Sequence, residues 1–180
     1  MTFLILGLTL WAGAHLLKRA APDARARMGD AGKGLVALLS VLGIVAMVVG
    51  YRAAEYWPVW TPPAFLTHVN NLLMVVAFYL FGVGAAKGTT AGWLRHPQLT
   101  AVMTWATAHL LVNGDVASLV LFGGMFLWAA TEVVVINRSQ PWDRPAEVSV
   151  KGDAKALGIG LVLLAAAAAV HLWLGVNPFG

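Results

Sequence analysis

Six apolar runs divide this sequence, and they constrain its fold more than any other feature. A bilayer-spanning helix needs about 20 predominantly apolar residues, and the six runs approach that length: residues 1–17, 35–51, 65–86, 97–112, 116–136 and 156–175. Of the 180 residues, 59% are hydrophobic and 11% are charged, whereas soluble domains carry about 25% charged residues. The pattern predicts an all-α polytopic membrane protein, a single domain over residues 1–180 formed by a bundle of about six transmembrane helices.

The basic residues predict how these helices cross the membrane. Eleven of the twelve lysines and arginines lie in alternate loops, after the first, third and fifth runs. The positive-inside rule then places both termini outside, which is the periplasmic side of a bacterial inner membrane. Topology therefore explains the net charge of +4, and the charge gives no support for nucleic-acid binding. The first run lacks the basic n-region of a signal peptide, so we interpret it as a retained helix.

The sequence has no cysteine but places all five histidines in or beside an apolar run. The missing cysteine excludes disulfides, thiolate nucleophiles and c-type haem attachment. Ionisable groups inside a membrane are costly and usually face the protein interior, so each histidine is a functional candidate. His96 and His171 also fit an interfacial position. His68, close to Asn70 and Asn71, also fits a hydrogen bond between helices.

Two of the histidines occur in a repeated motif. Residues 11–17 read WAGAHLL and residues 105–111 read WATAHLL, in runs that cross the membrane in opposite directions. Inverted repeats can build a site near the bilayer centre, although chance remains an alternative for so short a motif. Neutral imidazole is the commonest metal ligand, and small neighbours let a flat macrocycle approach the helix. We therefore predict a b-type haem held by His15 and His109, with Trp11 and Trp105 packed beside it.

Helix geometry tests this pairing. At 1.5 Å per residue, His15 lies about 6 Å inside Arg19, and His109 lies about 18 Å above Pro97. The two histidines therefore differ in depth by about 12 Å. A haem bound to both would have its plane tilted. His68 lies nearer the depth of His109, so His68–His109 is the alternative pair of iron ligands. Zinc is disfavoured because structural zinc sites take four ligands, usually with cysteine. A histidine bonded only to a neighbouring helix is the non-metal alternative.

Other polar residues have structural interpretations. Asn113 and Asp115 fit a tight turn between two helices, with Asp115 as the N-cap of the second. Asp153 is expected to cap the last helix. Glu132 is expected to form an ion pair with Arg95 or Arg138.

Three segments of the sequence resemble those of a known family of membrane proteins: HLLKRAAP from residue 15, RHPQ from residue 95 and WATAHLLVNGD from residue 105. Together they resemble the NnrU family of bacterial membrane proteins over essentially the whole chain. That family is associated with denitrification and with nitric oxide or nitrite metabolism, which implies membrane proteins of denitrification as partners. It is similar in turn to zeta-carotene isomerase, an integral membrane haem b enzyme. The second likeness implies haem b on His15 and His109, a lipid-like substrate, and redox or isomerase chemistry.

One departure from the isomerase concerns its mechanism. A cysteine stands three residues before the second histidine there, and Ala106 stands at that position here. A mechanism that exchanges histidine for thiolate therefore lacks its residue.

A second resemblance concerns the triplet of Arg95, His96 and Pro97. It resembles membrane methyltransferases of the isoprenylcysteine carboxyl type, which bind S-adenosylmethionine, so Arg95 and His96 are further candidates for cofactor binding. Leu99 and Ala101 replace the tyrosine and glycine of that pattern. A methyltransferase-like protein and a non-catalytic assembly factor are the two alternatives to a haem protein. The sequence assigns no catalytic residue and leaves open whether the chain is an enzyme.

Overall fold

The fold is entirely helical. The computed structural model describes residues 1–179, which form seven α-helices and a short 3-10 turn at Thr89–Gly92. Within that range there is no β-sheet, only two isolated β-bridges. The helices are α1 (Thr2–Ala20), α2 (Pro22–Arg27), α3 (Gly29–Arg52), α4 (Leu66–Ala86), α5 (Pro97–Val112), α6 (Val116–Ser139) and α7 (Val150–Trp173). The all-α class is confirmed, and each predicted run corresponds to one long helix.

Local capping explains where the helices begin and end. Proline at the first position of α5 costs no hydrogen bond. Asp115 caps α6 as predicted, because its carboxylate accepts a hydrogen bond from the backbone N–H of Ser118. The predicted cap at Asp153 is wrong: Ser149 caps α7 by accepting from the N–H of Gly152. The carboxylate of Asp153 instead accepts hydrogen bonds from Tyr79, Thr89 and Thr90, which joins α7 to the chain that follows α4.

The long helices have a simple order of neighbours. Going across the bundle, α7 packs against α4, α4 against α5, α5 against α6, α6 against α1, and α1 against α3. Helix α6 therefore lies between α1 and α5, the two helices that carry the repeated histidine motif.

Small residues bring two of these helix pairs into backbone contact. A Cβ atom on Gly82 of α4 would lie 2.2 Å from the carbonyl oxygen of Ala156 on α7, and one on Gly160 would lie 2.7 Å from the carbonyl oxygen of Phe78. Between α1 and α3, a Cβ atom on Gly50 would lie 2.2 Å from the backbone nitrogen of Leu4. Such close approach is typical of helices packed in a membrane, where small residues replace the hydrophobic effect as the source of association.

Length and hydropathy support a membrane protein, with fewer certain spans than predicted. Helices α3, α4, α6 and α7 are long and apolar enough to cross a bilayer, with mean hydropathies of 2.4, 1.8, 2.1 and 2.1. Large apolar side chains of α3, such as Leu38 and Val41, are more than half exposed, as lipid contact would allow. Helix α1 ends with Lys18 and Arg19, and α5 has only 16 residues, about 24 Å of rise against a hydrocarbon core of about 30 Å. The predicted count of six spans is therefore not confirmed.

The loop between α3 and α4 covers the turn between α5 and α6. The backbone N–H groups of Val59 and Trp60 donate to the carbonyl of Gly114, and the N–H of Val116 donates to the carbonyl of Trp57. Beneath this loop, the Ser118 hydroxyl donates to the Asp115 carboxylate at 2.5 Å and lies 2.9 Å from the Tyr51 hydroxyl. These bonds fix the end of the bundle nearest His109.

Candidate functional site: two anchored histidines beside helix α6

His15 lies in an aromatic cluster between α1 and α6. Its ring centroid is 4.1 Å from that of Trp11 and 5.1 Å from that of Trp128. Its Nδ1 atom lies 2.8 Å from the backbone carbonyl oxygen of Trp11. A carbonyl oxygen only accepts hydrogen bonds, so Nδ1 carries the proton. The Nε2 lone pair of this half-buried histidine is therefore available to a ligand.

His109 repeats this arrangement on α5. Its Nδ1 atom lies 3.0 Å from the carbonyl oxygen of Trp105, and its ring centroid is 4.5 Å from that of Phe122 on α6. Trp105 also packs against Phe122, with centroids 5.1 Å apart. The repeated motif thus produces the same local geometry twice. A metal-binding histidine commonly has its second ring nitrogen held by a carbonyl or carboxylate, which fixes the tautomer and the ring orientation.

The cluster around His15 also contains unsatisfied polar groups. The indole Nε1 atoms of Trp11 and Trp128 are buried and have no hydrogen-bond partner. One turn beyond Trp128 on α6, Glu132 is only 6% exposed. Buried polar groups without partners are costly, and two indole donors with one carboxylate around a single histidine are a feature that packing alone does not explain.

The prediction for Glu132 is wrong. Among the described residues the one ion pair joins Lys33 to Asp30, so Glu132 pairs with neither Arg95 nor Arg138. Its electrostatic neighbours are Arg19 and His15, both on α1. The reason is the position of α1, which packs along the side of α6 that carries this carboxylate.

Helix direction determines how the two histidines relate to each other. Leu8 contacts the Gly124 position and His15 contacts Trp128, so α1 runs parallel to α6. Helix α5 runs antiparallel to α6. Phe122 and Trp128 are six residues apart, about 9 Å of helix rise. An offset between the histidines therefore remains, as helix geometry predicted.

The lean of each ring reduces that offset. Helical side chains point towards the N-terminus of their helix, and both rings lie over the preceding turn, as their bonds to Trp11 and Trp105 record. Because α1 and α5 run in opposite directions, this lean moves the two rings towards a common level. The offset between the two rings along the helix axes is therefore smaller than the offset between their Cα atoms.

Three alanines beside the histidines pack against other parts of the protein. Ala14, Ala106 and Ala108 are buried, so protein already covers these positions. They allow close helix packing. Gly13, two residues before His15, faces open space, because a Cβ atom there would meet nothing within 4 Å.

Arg95 and His96 lie at the other end of α5. Arg95 donates to the carbonyl oxygen of Gln140 at 2.6 Å, and His96 Nε2 lies 2.9 Å from the side-chain oxygen of Asn137. Both residues thus join the start of α5 to the end of α6. Thirteen residues separate His96 from His109, about 20 Å along the helix, so the structure does not bring this pair to the anchored histidines.

The remaining histidines differ in setting. His68 is exposed at the start of α4, while the neighbouring Asn70 is buried and bonded to Asn71. His171 is exposed, but its Nδ1 atom is bonded to the carbonyl of Ala167 at 2.8 Å. Residues 1–179 contain no group of three or more His, Cys, Asp or Glu side chains arranged to hold a metal ion. An axial pair of histidines has only two members and does not count as such a group.

Sequence reasoning missed the contribution of α6. Phe122 packs against His109 and Trp128 packs against His15, and hydropathy does not distinguish these two residues from the rest of their apolar run. The spacing of Trp128 and Glu132, four residues apart on one helix face, was the available signal.

Fold and geometry together define a class: an α-helical membrane protein with two anchored histidines on either side of a central helix. The chain belongs to the NnrU family, whose family model, described as NnrU protein, matches residues 3–178. Comparison with curated proteins and with solved structures gives no match.

Proposed function

We propose that this chain is a haem b protein of the bacterial inner membrane, with His15 and His109 as the axial iron ligands. The observation that carries the proposal is the repeated anchor: each Nδ1 atom is bonded to the carbonyl four residues earlier, which leaves two Nε2 lone pairs on antiparallel helices. In this proposal six spans cross the membrane, and both termini lie in the periplasm.

The residues present fit a haem in a further respect. The unpartnered indole N–H groups of Trp11 and Trp128 are donors that the carboxylates of a bound haem could satisfy. Trp105 and Phe122 supply aromatic surface beside His109.

The bound haem would supply one-electron redox chemistry or binding of a small molecule such as nitric oxide. The residues of this chain would tune it: axial ligands, hydrogen bonds behind them and burial set iron potential and ligand lability. The link to nitric oxide or nitrite metabolism, and to denitrification proteins as partners, rests on the family. Ala106, fully buried, leaves no thiolate for an isomerase mechanism on a lipid-like substrate, so we favour a redox role.

The test is the absorption spectrum of detergent-purified protein, oxidised and then reduced with dithionite. Wild type is expected to show a Soret band and sharp reduced α and β bands. His15→Ala and His109→Ala are each expected to lose the haem or to convert it to a five-coordinate form. His96→Ala is the control, because it removes a histidine about 20 Å along α5 from His109 and should leave the spectrum unchanged.

Other outcomes contradict the proposal. A protein that stays colourless when expressed with added haem precursor refutes haem binding, and S-adenosylmethionine binding that depends on Arg95 and His96 would support the methyltransferase alternative. Loss of the spectrum in His68→Ala but not in His15→Ala would refute the assigned pair. Circular dichroism and gel filtration of every variant distinguish ligand loss from misfolding.

A further inference from the structure

A second feature of the molecule lies away from the histidines, where the end of α4 meets the start of α7. A cavity of about 350 Å³ opens there. Three lysines line it, Lys87, Lys151 and Lys155, against one acid, Glu147. We call it the basic cavity. The other nearby acid, Asp153, is bonded to Tyr79, Thr89 and Thr90, so its charge is already engaged.

The backbone fixes the position of one of these lysines. Lys87 has φ +49°, a left-handed conformation that residues with a side chain rarely adopt. Its carbonyl oxygen accepts a hydrogen bond from the N–H of Ser149, and the helix that begins there passes so close that a Cβ atom on Gly152 would lie 2.6 Å from the same oxygen. Contact with α7 therefore holds Lys87 at the rim of the basic cavity.

An apolar groove continues from the basic cavity along α7. Its volume is about 470 Å³, and it is lined by Lys155, Gly158, Ile159, Val162 and Leu163. Lys155 lines both spaces, so the two are adjoining parts of one surface. Gly158 leaves space in this groove, because a Cβ atom there would meet nothing within 4 Å.

The location of this surface indicates its ligand. Helix α7 is one of the four helices able to cross a bilayer. In a helix that spans a membrane in this way, the first turns, with Lys151 and Lys155, would lie at the membrane surface. A basic cavity there attracts anionic lipid headgroups, while the groove runs from it into the apolar part of the helix. A free phosphate would occupy only the basic cavity, whereas a phospholipid would occupy both the basic cavity and the groove.

We propose that the basic cavity and the adjoining groove bind an anionic glycerophospholipid, with its phosphate among the three lysines and one acyl chain over Gly158. The site is independent of the haem proposal, since it uses α4 and α7 and none of the histidines.

Native mass spectrometry of the detergent-solubilised protein tests this site. Phosphatidylglycerol and phosphatidylcholine with identical acyl chains are added in turn, and the bound fraction is measured against lipid concentration. Wild type is expected to prefer phosphatidylglycerol. Replacing Lys87, Lys151 or Lys155 with Gln should each weaken that lipid about fivefold, because a basic side chain near the surface contributes about that factor.

Two further variants separate the parts of the site. Lys33→Gln removes an exposed lysine at the start of α3 and should leave lipid binding unchanged. Gly158→Trp places a large side chain in the groove from a position where an added Cβ atom meets nothing within 4 Å, so it should weaken both lipids while Gly158→Ala does not.

Three results would overturn the proposal. These are equal binding of the two lipids, an equal effect of Lys33→Gln, and displacement of phosphatidylglycerol by millimolar inorganic phosphate, which would indicate an anion site without a role for the acyl chain. Gel filtration and circular dichroism confirm that each variant is folded.

Discussion

Two glycines on one helix allow a matched test of how α4 and α7 associate. Gly160 and Gly158 lie two residues apart on α7, and only the first faces α4. A Cβ atom on Gly160 would lie 2.7 Å from the carbonyl oxygen of Phe78, whereas one on Gly158 meets nothing within 4 Å. Ordinary contact begins at 3.4 Å, so Gly160→Ala requires a local separation of the helices by about 0.7 Å at this backbone contact.

The magnitude follows from comparing the two alanine variants. Both gain the same intrinsic helix propensity, up to about 1 kcal/mol, so their difference isolates the steric cost. Overpacking costs about 1–3 kcal/mol, and a chain of this size shifts its thermal midpoint by about 2–4 °C per kcal/mol. We therefore expect Gly160→Ala to unfold roughly 2–12 °C below Gly158→Ala in the same detergent.

The assay is thermal unfolding followed by circular dichroism. Gly82→Ala provides a graded control, since its Cβ atom would lie only 2.2 Å from the carbonyl oxygen of Ala156, and it should be at least as destabilising as Gly160→Ala. Equal midpoints for Gly158→Ala and Gly160→Ala would refute the backbone contact between α4 and α7.

Three further predictions concern the ends of the bundle. Ser118→Ala removes the hydroxyl between Tyr51 and Asp115 and should cost about 1–3 kcal/mol, because it leaves buried polar groups unpaired; an unchanged thermal midpoint would contradict this. Asp153→Asn should speed limited proteolysis within residues 87–96, because the charge that accepts the hydrogen bonds of that segment is lost, and an unchanged cleavage rate would argue against it. Gly114→Ala places a Cβ atom 1.9 Å from a carbonyl oxygen of the covering loop, so hydrogen exchange should accelerate in residues 57–60, and wild-type protection would show that the loop is held by other contacts.

The apolar pattern predicted most of the secondary structure. Helix α5 has the predicted bounds because a proline begins it and a polar turn follows it. Helix α7 begins at Val150, six residues before the predicted run at 156, because its first turns are polar and capped by Ser149. Hydropathy detects the part of a helix that lies in lipid and misses turns that extend into water.

The candidate site was predicted only in part, because the residues that α6 contributes to it depend on how the helices pack. The repeated motif specified His15 and His109 together with their tryptophans, because each tryptophan lies about one helix turn before its own histidine. The approach of Trp128 and Glu132 to His15 depends on α1 lying parallel to α6, more than 100 residues later in the chain. No local pattern encodes that choice of neighbour.

The central position of α6 also has a consequence for biosynthesis. Helices α1 and α3 contact the rest of the bundle mainly through α6, yet they are synthesised first. At about 5–20 residues per second, the ribosome needs several seconds to proceed from Arg52 to the end of α6. During that interval α1 can pack against α3, but His15 lacks its contact with Trp128 on α6. Any group that binds between the two histidines must therefore enter after α6 has been inserted, which makes loading a late step in the maturation of the protein.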